Sequence, residues 1–302
     1  MSKMKKNNRY LNDYIRCKFI QSINSQADFF DNFSLASINN QMSSNNIVPL
    51  IYYDEYKLFK KQNIDLFQNY FLNIELINNK LKTTNYEFVL PQHVLNKLKS
   101  NKISIRKLFI LCLRYHVLGF YNNGLMISCH PLFYKKINKY FNCELFGSYF
   151  NHTYDNYCSL FPNLENSLGS FFSFELESFS GYVCNPPFSE IYIDAVITRI
   201  LKIFKIKESL SVLLILPVWD VYGRTKLNLK IDFNDMPLYS TLRTESKKYW
   251  LFKKEEFKYF HFFLNKSMYV CPTYLFLLSN NPNYNNIILC IDEALKNLKK
   301  IF

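Results

Sequence analysis

Ser180-Gly181-Tyr182-Val183-Cys184-Asn185-Pro186-Pro187-Phe188 is the stretch from which the rest of the chain can be read. A short apolar run ends in Asn-Pro-Pro-Phe. A helical pattern follows over 189–206, with Ile193, Val196, Ile197, Ile200, Leu201 and Phe204 on one side. Proline holds its own φ and pushes the residue before it to extended geometry. Asn185-Pro186-Pro187 is therefore a stiff strand end whose carbonyls are aimed in advance.

These residue types suit one kind of chemistry. The exocyclic amine of adenine is a poor nucleophile because its lone pair is drawn into the ring. Two acceptors, one for each N–H, favour a tetrahedral nitrogen and free the lone pair to attack a sulfonium methyl. The Asn185 side-chain oxygen and the Pro186 carbonyl can be those acceptors. Phe188 supplies a flat face for the target base. Asn-Pro-Pro-aromatic after a strand is the signature of enzymes that methylate an exocyclic amine of a nucleobase. The bland alternative is a Pro-Pro turn that closes a strand, with Phe188 in the core.

Composition narrows the partner. Of the 302 residues, 49% are hydrophobic, enough for a sizeable core, and the formal net charge is +13. A basic chain points to an anionic partner, nucleic acid being the commonest. Genome bias toward Lys is the competing explanation. The 8 cysteines are scattered with no C-x-x-C pair, and the 5 histidines have no ligand spacing. We expect reduced, mostly buried thiols, no metal and no disulfide framework. No signal peptide follows Met1, and the apolar run from Val212 to Trp219 is too short to span a bilayer. The expected setting is intracellular, nuclear or cytoplasmic, without a membrane.

Along the chain, 1–46 reads as a flexible Asn-, Ser- and Lys-rich segment, 47–124 as a helical domain, and 125–302 as an α/β domain. Pro91 opens a helix at Gln92, and Ser104 caps a stronger one with Leu108, Leu111, Cys112 and Tyr115 on one face. Cys143 to Phe146 is an apolar run that stops at Gly147-Ser148. Many doubly wound folds open a cofactor loop in this way. Ser170 to Leu176 reads as a second strand with Glu175 near its end, where an acid can bind ribose hydroxyls; Glu177 competes for that role. Gly147 and Asn185 leave room between them for one crossover and little more, so the sheet is compressed. Val212 to Leu216 and Tyr269 to Leu278 read as further strands, and Ile287 to Ile301 as a closing helix.

The chain resembles the cap-specific adenosine N6-methyltransferases, also called phosphorylated CTD-interacting factors. The matching segments are Arg114-Tyr115-His116, Glu144-Leu145-Phe146-Gly147-Ser148 with Asn151, Tyr157-Cys158-Ser159-Leu160-Phe161-Pro162, Gly169-Ser170-Phe171, and Ser180-Gly181 running into Asn185-Pro186-Pro187-Phe188. Ile215-Leu216-Pro217-Val218-Trp219 and Lys253-Lys254-Glu255-Glu256 follow in the same order. The Tyr-Cys-Ser-x-Phe-Pro segment is much more specific than Asn-Pro-Pro-Phe.

The resemblance implies a Rossmann-like S-adenosylmethionine-dependent methyltransferase domain behind an N-terminal helical domain. Its substrate would be capped RNA that begins with adenosine, giving N6-methyladenosine beside the mRNA cap. The family's motifs put the cofactor at Phe146, Gly147, Ser148, Asn151, Glu175 and Asn185. They put the target adenine at Asn185, Pro186, Pro187 and Phe188. No WW domain is seen ahead of the helices, so recruitment through a phosphorylated polymerase tail is not expected.

RNA is expected to meet Arg106 and Arg114 on the helical domain and Arg224, Lys226 and Arg243 in a long charged segment. Lys247, Lys248, Lys253 and Lys254 beside Tyr249 and Trp250 are further candidates. Cations interleaved with aromatics suit phosphates and a methylated guanine. Two other functions fit the same residues: an N6-adenine methyltransferase acting on DNA or internal RNA sites, and a non-catalytic RNA-binding scaffold that has kept the fold.

Overall fold

The computed structural model describes residues 14–21, 36, 53–68, 74–100, 103–118, 126–176, 179, 181–188, 190–218 and 237–301. The chain divides into two compact units, Met1–Met126 and Ile127–Phe302.

In the first unit, residues 14–21 are helical and bury Tyr14, Ile15, Cys17, Phe19 and Ile20. They lie inside the stretch expected to be flexible; apolar spacing, not the surrounding Asn and Ser, decides them. Helix α1 (Tyr53–Gln68) is followed by three short antiparallel strands, β1 (Glu75–Ile77), β2 (Lys80–Lys82) and β3 (Glu87–Val89). This sheet interrupts a region read as continuously helical. Asn78 takes a positive φ of 58° at the β1–β2 turn, and Lys80 and Lys82 both pair with Glu87 across the strands. Helix α2 (Gln92–Lys99) starts after Pro91, as read. Helix α3 (Ile105–Val117) is capped by Ser104, whose Oγ accepts from Lys107 N–H at 3.3 Å.

The second unit begins with β4 (Ile127–Cys129) and α4 (Pro131–Ile137). Then come β5 (Cys143–Gly147), β6 (Asn156–Ser159), β7 (Gly181–Cys184), α5 (Glu190–Phe204) and β8 (Ser211–Pro217). Helix α6 (Pro237–Glu245), β9 (Lys248–Phe252), β10 (Lys258–His261), β11 (Lys266–Tyr269), β12 (Thr273–Ser279) and α7 (Tyr284–Ile301) complete it. Its central sheet has six strands in the order β6-β5-β7-β8-β12-β9. The first four are parallel; β12 runs against β8 and β9 against β12.

Period-two alternation sends side chains to two separate cores. Tyr182, Cys184, Val212, Leu214, Leu216, Tyr274 and Phe276 face α5 and α6. Val183, Leu213, Ile215, Leu275 and Leu277 face α4 and α7. All six apolar positions read as the inner side of α5 are buried in the first of these cores.

The expected strand over Ser170–Leu176 is absent. Those residues form a turn in which Ser173 and Phe174 N–H groups donate to the Ser170 carbonyl at 3.0 and 2.8 Å. The strand that follows β5 is Asn156–Ser159 instead. Its outer edge is taken by the returning chain: Ser159 N–H donates to Gly169 and Leu168 N–H to Tyr157, both at 2.9 Å. Among the described residues no helix is long and apolar enough to cross a membrane, and no group of His, Cys, Asp and Glu could hold a metal ion.

Candidate active site

Strands β5 and β7 lie side by side, with Cys143 opposite Tyr182 and Glu144 opposite Val183. From β5 the chain goes to β6 on one side; from β7 it goes to β8 on the other. The strand order therefore reverses between β5 and β7. In open α/β sheets the crevice outside the carboxyl ends at such a reversal is where ligands bind. Phe146, Gly147 and Ser148 stand at that end of β5, and Asn185-Pro186-Pro187-Phe188 at that end of β7.

Strand β7 reaches this position only because its first residue is glycine. A Cβ on Gly181 would stand 1.9 Å from the Tyr140 carbonyl oxygen, and Asn142 N–H donates to the Gly181 carbonyl at 3.3 Å. At the other end, the Asn185 Oδ1 is buried and has no hydrogen-bond partner among the described residues. Such an oxygen can accept from an N–H brought to it. Pro186 is buried, and Phe188 is half-buried with its ring edge-on to Tyr259, centroids 5.8 Å apart. Burial holds the Cys184 thiol well above its usual range and pushes Cys158 up to about 12, so neither is a thiolate near neutrality. All eight cysteines fall among the described residues, and no two of them are joined in a disulfide.

The loop after β5 is tightly determined. Ser148 Oγ donates to Asn151 Oδ1 at 2.7 Å and accepts from the Phe150 and Asn151 N–H groups at 3.2 and 3.3 Å. Phe146 packs on Phe171 at 5.0 Å and on Phe172 at 6.1 Å. Arg199 of α5 braces that wall. Its guanidinium lies 5.4 Å from the Phe171 ring centroid, and its Nη2 donates to the Phe174 carbonyl at 2.8 Å. Glu175 is exposed in the coil beyond this turn, and Glu177 lies outside the described residues.

Two buried acids were missed from the sequence. Glu144 is 2% exposed, and its Oε1 accepts from Thr153 and Tyr154 N–H at 2.5 and 2.7 Å. Glu165 is 1% exposed and accepts from Tyr149 N–H. Glu144 stands within the apolar run Cys143–Phe146, which is the signal for a carboxylate kept in the interior by backbone donors; Glu165, flanked by Asn163, Asn166 and Ser167, carries no such signal.

The basic candidates divide. Arg114 is fully buried, not solvent-facing, because α3 is buried on every side from Leu108 to Tyr115. It has no surface to offer a phosphate. Arg243 donates to the Tyr274 hydroxyl and sits 5.3 Å from that ring's centroid. Trp250 is half-buried and donates its Nε1–H to Asp292 at 2.8 Å, and Lys248 pairs with the same carboxylate. Both Arg243 and Trp250 are thus committed to internal contacts. Arg106, Lys247 and Lys253 are exposed, Lys254 is half-buried, and Arg224 and Lys226 lie outside the described residues.

A family model described as the phosphorylated CTD interacting factor 1 WW domain matches residues 81–235, just over half of the chain. The match runs from β2 to beyond β8 and contains both strand ends of the site. No curated protein matches the chain.

Proposed function

Because the chain belongs to the family of the phosphorylated CTD interacting factor 1 WW domain, we propose that it methylates the N6 amine of adenosine in RNA with S-adenosylmethionine, at the cap-adjacent first nucleotide. The observation that carries this reading is the Asn185 oxygen, buried and without a partner among the described residues at the strand reversal. An orphaned acceptor costs about 1–3 kcal/mol. A fold keeps such a cost where a ligand supplies the donor, and an exocyclic amine has two N–H groups to give.

The second unit is read as a Rossmann-like methyltransferase domain. The residues at the end of β5 fit the cofactor. Gly147 keeps the backbone bare, Phe146 presents a ring backed by Phe171, and Ser148 and Asn151 hold the turn. These four would hold S-adenosylmethionine, with Glu175 accepting from its ribose hydroxyls. When bound, that cofactor supplies an electrophilic methyl. The chain's own part is to aim the amine. Asn185 Oδ1 takes one N–H and the Pro186 carbonyl the other, and both oxygens bind the nitrogen more strongly as it becomes positive. Phe188, steadied by Tyr259, stacks on the adenine.

A cavity of about 320 Å³ supports the cap assignment. Phe252, Phe257, Tyr269, Glu255, Glu256 and Lys258 contribute to its walls, with the Lys258 Nζ 5.0 Å from the Tyr269 ring centroid. Phe257 contacts Tyr259 at 5.1 Å and Tyr259 contacts Phe188, so ring contacts run from the target-base site to the cavity. An N7-methylguanine is a flat cation, which suits aromatic faces and carboxylates. Lys253 and Lys254, on the same turn, suit the cap phosphates. The deciding experiment compares methyl transfer to capped and uncapped RNAs that begin with A or G. Only capped, A-starting RNA should be a good substrate; equal use of uncapped RNA overturns the cap assignment.

Two further results are expected. Phe188→Ala should weaken RNA binding by about 1–3 kcal/mol while cofactor affinity holds. Unchanged RNA affinity would leave Phe188 a purely structural neighbour of Tyr259. RNA affinity should also fall steeply with salt, since each neutralised phosphate releases counterions. Replacing Lys253 and Lys254 with Ala should flatten the slope of log affinity against log salt by about one to two. A slope untouched by the double substitution would place the RNA elsewhere.

A further inference from the structure

The segment Tyr157-Cys158-Ser159 has no part in the chemistry above. It forms β6, and its contacts converge on the loop that follows β5. The Tyr157 ring lies under Gly147: a Cβ there would be 3.1 Å from Tyr157 Cδ2 and 3.3 Å from the His152 Cβ. The Tyr157 and His152 rings are parallel, 4.1 Å apart with 9° between their planes. The Tyr157 hydroxyl donates to the Glu165 carbonyl at 3.2 Å. The Glu165 carboxylate then reaches back into the loop and accepts from Tyr149 N–H. Ser159 Oγ and Ser167 Oγ, 2.7 Å apart, tie the intervening chain onto β6.

The loop is thus gripped at two points. An aromatic ring closes the space at Gly147, and a buried carboxylate binds the backbone N–H two residues on. We infer that Glu165 is a positioning residue: its carboxylate sets the backbone of Gly147, Ser148 and Tyr149 in the shape that receives the cofactor, with Tyr157 holding Glu165 in place. The inference rests on the reading of this loop as the S-adenosylmethionine site. The most family-specific motif of the chain then has a physical role, because a loop with few glycines needs outside contacts to keep its shape.

Binding, not turnover, tests this role. S-adenosylmethionine is titrated calorimetrically into the full chain and into Glu165→Ala, Glu165→Gln and Tyr157→Phe, and RNA affinity is measured in parallel by anisotropy. Glu165→Ala strands the Tyr149 N–H, and the cofactor Kd should rise about tenfold with RNA affinity unchanged. Glutamine keeps an acceptor at the same reach and should stay within about threefold of the parent. Tyr157→Phe keeps the ring under Gly147 and removes only the hydroxyl; its cofactor Kd should rise about threefold, and it carries the test if Glu165→Ala does not fold. An unchanged cofactor Kd in Glu165→Ala, or in Tyr157→Phe where that variant stands in, overturns the positioning role. So does an equal loss of cofactor and RNA affinity, which would mark a structural residue. A parent chain that binds no S-adenosylmethionine overturns instead the reading of the site itself.

Discussion

Asn185→Ala should lower methyl transfer about a hundredfold or more while S-adenosylmethionine affinity stays within a few-fold of the parent. The size follows from where the oxygen stands. It is buried and has no partner among the described residues, so no competing donor has to be displaced when the amine arrives. A preorganised acceptor in a water-poor site acts mainly on the transition state, as the nitrogen gains positive charge. Alanine removes the acceptor and leaves the two prolines to keep the loop. The loss should therefore appear in kcat with the cofactor site intact. Asn185→Asp keeps an acceptor of similar reach and should retain more activity than alanine. Near-parental turnover by Asn185→Ala on the best RNA substrate would remove the amine-orienting role altogether.

Gly181→Ala should be the most damaging single methyl in strand β7. The added carbon would stand 1.9 Å from the Tyr140 carbonyl oxygen, a backbone atom that no rotamer change can move aside. Strand β7 lies between β5 and β8 and is buried along its length, so it cannot step back without breaking two ladders. We expect a loss of about 3 kcal/mol or more in stability by chemical denaturation. Activity should fall as well, since Asn185 is carried on the far end of the same strand. Gly169→Ala is the control. Gly169 has a φ of 125°, yet nothing lies within 4 Å of a Cβ there, so the cost is backbone strain alone, about 1–3 kcal/mol. If Gly181→Ala unfolded at the same denaturant concentration as the parent, β7 could not run against Tyr140 as described.

Much of the second unit was legible because its signals are local. The apolar run before Asn185, the helical spacing after it and the buried strand ending at Pro217 depend on residues within one or two turns of each other. So do the caps at Pro91 and Ser104 in the first unit. The region over Ser170–Leu176 misled for the opposite reason. Its apolar residues alternate as a strand would, but the sheet edge they would join is closed by the chain returning along β6. Strand character needs a partner edge, and no local pattern reports whether one is open. The three short strands before Gln92 were lost because three residues are too few to show a period of two against a helical background.

The basic residues show the same division. Charge and composition indicated a cationic surface, and Lys253 and Lys254 remain available to it. Nothing near Arg114 in the sequence says that α3 is enclosed on all sides, and nothing near Trp250 says that Asp292, on a helix that follows, takes its N–H. The sequence by itself determined the polar groups at the end of β7: Asn-Pro-Pro-Phe sets which atoms can be acceptors and how stiffly they are held, since proline acts through its own ring and its immediate neighbour. Only the tertiary structure decided that the Asn185 oxygen is buried, that Gly181 must lack a side chain, and that Glu165 reaches the loop after β5. Each of these depends on atoms brought together by strand pairing and turns, and burial is a property of that assembly, not of any stretch of chain.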